Sequence, residues 1–291
     1  MSDFHSVSAL CAAAQERGVP ISQIVLEDQA HHMEVPAEEL YSQMRENLQV
    51  MRQAVQAGMD PELRSTSGLT GGDAAKMKVY AVGGGITGPF LTNAMARTIA
   101  VSEYNAAMGR IVAAPTAGSC GILPGTIVSM LEEGRCEEKA AVMALFTAGA
   151  IGMIIAEKAS IAGAQGGCQA ECGSASAMAA AALVELQGGT PQQAAHACAI
   201  AIKNQLGLVC DPVAGLVEVP CVKRNVIGAV NALTSADLAN AGIISKIPPD
   251  EVFDAMKNIG RMLPEELRET GKGGLAATPT GIAYRENLKK L

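Results

Sequence analysis

The chain has 291 residues, 49% apolar and only 3% aromatic, with 29 acidic against 22 basic side chains for a formal charge of −7. That length and apolar share suffice for a buried core, so disorder is not expected. The negative balance, without a basic run or an aromatic platform, argues against a nucleic-acid partner. The opening MSDFHSVSAL has neither the positive flank nor the apolar core of a signal peptide, which makes the cytoplasm the expected compartment. The eight cysteines then read as thiols, ligands or buried small residues and not as a disulfide framework. The longest apolar run, 140–156, falls short of the ~20 residues of a membrane span, so a buried helix is expected there and no membrane partner.

With no Trp, 31 Gly and 14 Met, the core is expected to be built from helices that approach closely across small side chains: an all-α fold. Residues 5–17 and 20–32 read as short helices. A longer one opens at Pro36, where Leu40, Met44, Leu48, Met51 and Val55 recur at helical spacing, and it ends at Gly58 and Pro61. His31 and His32 read as a solvated helix end. The segment 64–78, RSTSGLTGGDAAKMK, crowds Ser, Thr and Gly ahead of a helical pattern; its amides and hydroxyls suit either an anion site or an ordinary capped loop. VGGGITGP at 82–89 matches G-x-G-x-x-G, but no alternation of strands and helices surrounds it. It reads as close packing and not as a nucleotide loop.

A helix over 91–108 leads to APTAGSCGILPG, where Thr116, Ser119 and Cys120 lie between Pro115 and Pro124 in a loop whose polar groups need a buried partner or a substrate. Cys120 reads as a small lining residue, and Cys136, in a charged turn, has no role. A helix over 138–160, apolar nearly all round, is central. Further helices are expected over 174–186, 191–205 and 224–239, and from Pro249, with GKGGLAATPTG a closing loop. Thr190-Pro191 is a helix-start signal, and His196 and Cys198 read as helix-face and core residues. No repeat or linker divides the chain, so one domain over 1–291 is expected, with 1–60 as a subsidiary helical layer.

Cys168 and Cys172 form a C-x3-C pair in GGCQAECG, while Cys210 in CDPVAG and Cys221 in VEVPCVKRN stand apart from it. Zinc commonly takes close pairs, but usually two of them, and ferredoxin-type runs need a tighter spacing. Spacing alone leaves zinc, an iron–sulfur cluster and a set of merely buried thiols all open.

The motifs SGLTGG, APTAGSCGILP, GCQAECG, CDPVAGLVEVPC followed by KRN, and GGLAATP occur in one order, and together they resemble the alpha chain of the bacterial iron–sulfur-dependent L-serine dehydratases. The resemblance runs over nearly the whole chain from Arg64. It implies a [4Fe–4S] cluster held by Cys168, Cys210 and Cys221, with the fourth iron left for L-serine, and a separate beta chain as partner. Cys172 falls where other members can carry valine. The chain ends in KKL, so the terminal cysteine that blocks the open iron in fused members has no counterpart in it.

The activity so implied is deamination of L-serine to pyruvate and ammonia: the open iron acts as a Lewis acid on the leaving hydroxyl, and a base removes the α-hydrogen. Ser67, Gly68, Thr70, Gly71 and Gly72 are the expected receptors of the substrate carboxylate, with Thr116 and Ser119 next. Lys76 is a candidate base on position alone, and a base from the beta chain is the alternative. Three rivals remain. A pyridoxal-phosphate dehydratase would need a Ser-x-Lys context, absent here. A cluster-dependent cysteine desulfidase and a zinc or iron–sulfur scaffold are the others.

Overall fold

A computed structural model describes residues 4–289. Thirteen α-helices and no strand occur among them, in agreement with the all-α reading. In chain order they are α1 (Val7–Arg17), α2 (Ile21–Met33), α3 (Ala37–Gly58), α4 (Asp73–Val82), α5 (Pro89–Ala106), α6 (Ile122–Glu132), α7 (Glu138–Lys158), the single turn α8 (Gly163–Gly166), α9 (Ser174–Leu186), α10 (Pro191–Lys203), α11 (Cys221–Asn240), α12 (Pro249–Met262) and α13 (Pro279–Leu288).

Local chemistry explains most of the boundaries. The Thr190 hydroxyl accepts from the Gln193 amide while the Gln193 side chain accepts from the Thr190 amide; this reciprocal cap, with Pro191 in the first turn, starts α10 where the sequence signals it. Two helices go beyond the sequence reading. Pro124, taken as a loop boundary, lies in the first turn of α6, where its missing N–H leaves no bond unmade. Thr278 caps α13 by accepting from the Gly281 amide, so the chain turns helical again after GGLAATP. The helix expected from Arg224 already begins at Cys221.

α9 lies at the centre, with α7, α10 and α11 packed around it and α6 at its end. Its small side chains, from Ala175 to Ala182, are wholly or nearly wholly buried, which lets four neighbours approach it. Other crossings use glycine in the same way: a methyl on Gly58 of α3 would run into the Ala100 carbonyl of α5, and one on Gly228 of α11 into Ile122 of α6. α2 and α3 lie against α7 and α1 against α10, and one cluster of buried side chains continues from Val7 to Met256. α7 is long and apolar enough to cross a membrane by length and composition, but two-thirds of its apolar window is buried against the other helices.

Candidate functional site

Three connections interrupt the helices on one side of α9, and each carries one of the expected thiols. Cys168 follows α8 and opens a π-helical turn, Gln169–Gly173, that runs directly into α9. Such wide turns recur at functional sites because they splay side chains that a regular helix would stack. Cys210 lies in an extended stretch after α10. Its amide donates to the Leu267 carbonyl at 2.8 Å and its carbonyl accepts from the Glu269 amide at 2.7 Å, so the segment after α12 holds it on both sides. Glu269 (φ 64°) and Ala214 (φ 57°) adopt left-handed conformations close by, strain that persists only where surroundings dictate the backbone. Cys221 is the first residue of α11, after Pro220.

These thiols share one environment. The Cys168 and Cys172 sulfurs share a hydrogen bond at 3.3 Å. That bond holds Cys168 below the usual thiol range, with the charge of Arg224 helping, and raises Cys172. Burial pushes Cys221 up to about 12, and Cys210 is also raised by burial and then by the neighbouring Cys168. Cys120 is raised to about 12 by burial, with Cys221 and Glu171 adding to it. The Cys168, Cys210 and Cys221 thiols are thus near enough to feel one another's charge; burial favours the neutral form at Cys210 and Cys221, while Cys168 is the one biased towards thiolate.

Glu171 lies among them, a residue to which the sequence reading gave no role. Burial raises its carboxyl above the usual range, Thr116 counteracts by donating to Oε1 at 2.7 Å, and Glu269 adds to the rise. Thr116 in turn lies 3.2 Å from the hydroxyl of Ser119, which is fully buried. Two glycines make room for the carboxylate: a Cβ on Gly118 would sit 2.7 Å from Oε1, and one on Gly163 would sit 2.8 Å from Oε2 and 3.2 Å from the Cys210 sulfur. The only sequence signal for Glu171 is a charged residue inside the Gly- and Cys-rich GCQAECG.

Among the described residues no group of three or more His, Cys, Asp or Glu side chains is arranged to hold a single metal ion. A polynuclear iron–sulfur centre takes each thiolate at a different corner, so its ligands stand farther apart than those around one ion. A donor set of soft thiols beside a partly buried guanidinium fits such a centre.

The loop before α4 forms carboxylate sites, but the carboxylates are the protein's own. Glu103, fully buried in α5, accepts from the Thr70 hydroxyl at 3.0 Å and from the amides of Asp73 and Ala74 at the start of α4. Glu218, buried three residues before Cys221, accepts from the Ser65 hydroxyl at 2.5 Å and from the Ser67 hydroxyl at 2.8 and 2.9 Å. Expecting Ser67 and Thr70 to receive a substrate carboxylate therefore needs correcting: both hydroxyls are already committed. Gly68, Gly71 and Gly72 all have positive φ, and Gly71 and Gly72 lie against the backbone of Leu63 and Pro61, so they shape the turn. Lys76 is 77% exposed and pairs with Asp73 at 2.9 Å; it occupies the place of a surface lysine and not of a base held against a substrate. A cavity of about 840 Å³ opens beside this loop, lined by Thr66, Ser67, Asn105, Glu218 and Arg285 among others. Asn105 also donates to the Ala117 carbonyl of the Thr116 loop.

The remaining histidines and cysteines are elsewhere. His31 and His32 are in the last turn of α2, Cys198 is buried in α10 and Cys136 is partly exposed. His196 is partly exposed on α10, with its Nδ1 buried.

Comparison with known proteins bears on the whole arrangement. Residues 16–276 match the family model described as serine dehydratase alpha chain. The chain is 53% identical to a probable L-serine dehydratase, alpha chain, of Bacillus subtilis over 99% of its own length and 95% of that relative. It is 46% identical to the L-serine dehydratase, alpha chain, of Peptoniphilus asaccharolyticus over 94% of both. It is also 38% identical to an L-serine dehydratase of Streptomyces coelicolor, covering 94% of this chain but 60% of that longer protein. From its full-length relatives and from the span of the family match, the chain belongs to the serine dehydratase alpha chain family.

Proposed function

We propose that this chain is the catalytic alpha chain of an iron–sulfur-dependent L-serine dehydratase, converting L-serine to pyruvate and ammonia in the cytoplasm together with a separate beta chain. The observation that carries the reading is the gathering of Cys168, Cys210 and Cys221, from three separate connections, around one buried carboxylate. Family membership supports it, as do relatives whose names specify an alpha chain and L-serine.

In this reading Cys168, Cys210 and Cys221 hold a [4Fe–4S] cluster, and Cys172 supports Cys168 from behind through the shared hydrogen bond. When bound, the cluster supplies a Lewis-acidic iron at which the departing hydroxyl gains stabilisation. Binding it requires the thiols to lose their protons, which the charge of Arg224 favours at Cys168 and Cys221.

The chain's own residues do the rest. The cavity beside Ser67 admits a molecule the size of an amino acid, and Ser67 and Glu218 line it, while Gly68, Thr70, Gly71 and Gly72 shape the turn that carries Ser67. Thr116 donates to Glu171, and the buried Ser119 hydroxyl lies 3.2 Å from that of Thr116, so the two orient the carboxylate. Glu171, whose carboxyl is raised above the usual range by burial, is the group of this chain best suited to take the α-proton, and it replaces Lys76 in that role. Loss of that proton and of the β-hydroxyl leaves 2-aminoacrylate, which tautomerises to the imine and takes up water to give pyruvate and ammonia.

The test is to purify the chain without oxygen, together with its beta chain, and to measure iron, acid-labile sulfide and pyruvate formation from L-serine. About four irons and four sulfides per chain, with pyruvate released, are expected. Stoichiometric zinc without iron, or faster turnover of L-cysteine to sulfide, would overturn the reading.

A further inference from the structure

The triplet Lys223-Arg224-Asn225, near the start of α11, sends three consecutive side chains to three different segments. Lys223 pairs with Asp73 at the start of α4 at 2.8 Å. Asn225 donates to the Gly118 carbonyl at 2.7 Å and accepts from the Gly121 amide at 2.9 Å, which ties α11 to the loop of Thr116 and Ser119. Arg224 reaches the stretch around Cys210 on both sides of the thiol: its Nη1 donates to the Val209 carbonyl at 2.7 Å and lies 2.8 Å from Asp211 Oδ1.

We propose that Arg224 and Asp211 form a clamp that sets the distance between the Cys210 and Cys221 sulfurs, with Arg224 acting as a positioning residue for the thiol site. Among the described residues no other side-chain hydrogen bond or ion pair joins the segment of Cys210 to the helix of Cys221. The clamp is largely shielded, with side-chain exposures of 17% for Arg224 and 4% for Asp211, so solvent screens it only weakly. It is also braced from behind. Asp211 Oδ2 accepts from the Leu275 amide at 2.7 Å, and Gly274, at φ 57°, lies so close that any side chain there would collide with the Asp211 carboxylate. The closing GGLAATP segment thus holds Asp211 in place for Arg224. A buried ion pair adds little net stability, since desolvating both charges offsets their attraction; fixing the register of the groups it joins is its best-supported use. Here the groups joined flank two thiols that are 11 residues apart in sequence and come from an extended stretch and a helix.

This inference rests on the proposed cluster only in taking the two thiols as ligands, and it can be judged on the protein without iron. The experiment compares the wild-type full chain with Arg224→Gln, Arg224→Lys and Asp211→Asn. Cysteine alkylation rates are followed by mass spectrometry on the iron-free protein, with Cys198 as a buried reference, and bound iron is measured after reconstitution. If the clamp holds the segments together, Arg224→Gln and Asp211→Asn speed alkylation of Cys210 about tenfold by local opening, while Cys198 does not change. Arg224→Lys, which retains the charge but not the planar guanidinium or its reach, falls between. If Arg224 were only a countercharge to Cys168 and Cys221, its removal would leave the Cys210 rate as it is, so a slower or unchanged rate at Cys210 overturns the clamp. Circular dichroism identifies any variant that fails to fold, and the remaining variants decide the matter. Full iron uptake by Arg224→Gln would also overturn it. A wild-type chain that takes no iron overturns the cluster and leaves the alkylation result to decide the clamp.

Discussion

Thr70 and Glu103 are 33 residues apart and meet inside the protein, the threonine hydroxyl donating to a carboxylate oxygen at 3.0 Å. The same carboxylate accepts from the first amides of α4, so Glu103 acts as an internal anion at a helix start. Glu103→Gln replaces one acceptor with a donor that faces donors. The expected cost is about 1–3 kcal/mol in urea unfolding, with new protease cleavage in 64–72, whereas Thr70→Val should cost about 1 kcal/mol. Unchanged unfolding of Glu103→Gln would contradict the arrangement.

If the proposed cluster is right, Cys168→Ser, Cys210→Ser and Cys221→Ser should each remove both iron and serine turnover, because each thiol would hold a different corner of it. Cys136→Ser, altering a half-exposed thiol in a charged turn, should change neither. Iron analysis on anaerobically reconstituted protein decides; full iron in any of the first three refutes the ligand set.

Burial raises the Glu171 carboxyl in the folded chain, so the folded state favours the protonated acid more than the unfolded state does. The stabilisation this brings is complete below the unfolded carboxylate range and is lost as pH rises through the raised folded value. In the iron-free chain Glu171→Gln should therefore melt higher than wild type at pH 8 and at about the same temperature at pH 4. In the loaded enzyme the same substitution should abolish turnover without loss of iron. A pH-independent melting difference would contradict the burial account, and retained turnover would dismiss Glu171 as the base.

Lys76 and Asp73 form an exposed pair, a kind that adds little to stability. Lys76→Ala should leave turnover within about twofold of wild type and unfolding within about 0.5 kcal/mol. A loss of turnover with serine affinity unchanged would return Lys76 to candidacy as the base.

Gly58 lets α3 lie directly on α5, its Cα facing the Ala100 carbonyl. Gly58→Ala raises helix propensity yet forces the two helices apart, and overpacking of this kind costs about 1–3 kcal/mol. Chemical denaturation measures it; a stabilised variant would show that the crossing can relax.

The sequence by itself determined most of the helices (though not α6 or α13), their approximate limits and the style of their packing. Leu40, Met44, Leu48 and Met51 repeat at helical spacing, Thr190-Pro191 caps α10, and abundant Ala and Gly permit close crossings; these are local properties, carried by neighbouring residues and readable without the fold. Motif order also pointed to the family, and with it to Cys168, Cys210 and Cys221. What only the tertiary structure decided is how groups distant in the chain share charge and hydrogen bonds. The Ser- and Gly-rich loop advertised a carboxylate site, and nothing local to it could reveal that Glu103 and Glu218 already supply the carboxylates. Lys76 looked available until its side chain was seen paired in solvent, and Glu171 looked ordinary until its burial among thiols was known. Burial and partnership depend on the whole fold, because each is a relation between segments that periodicity and spacing do not encode.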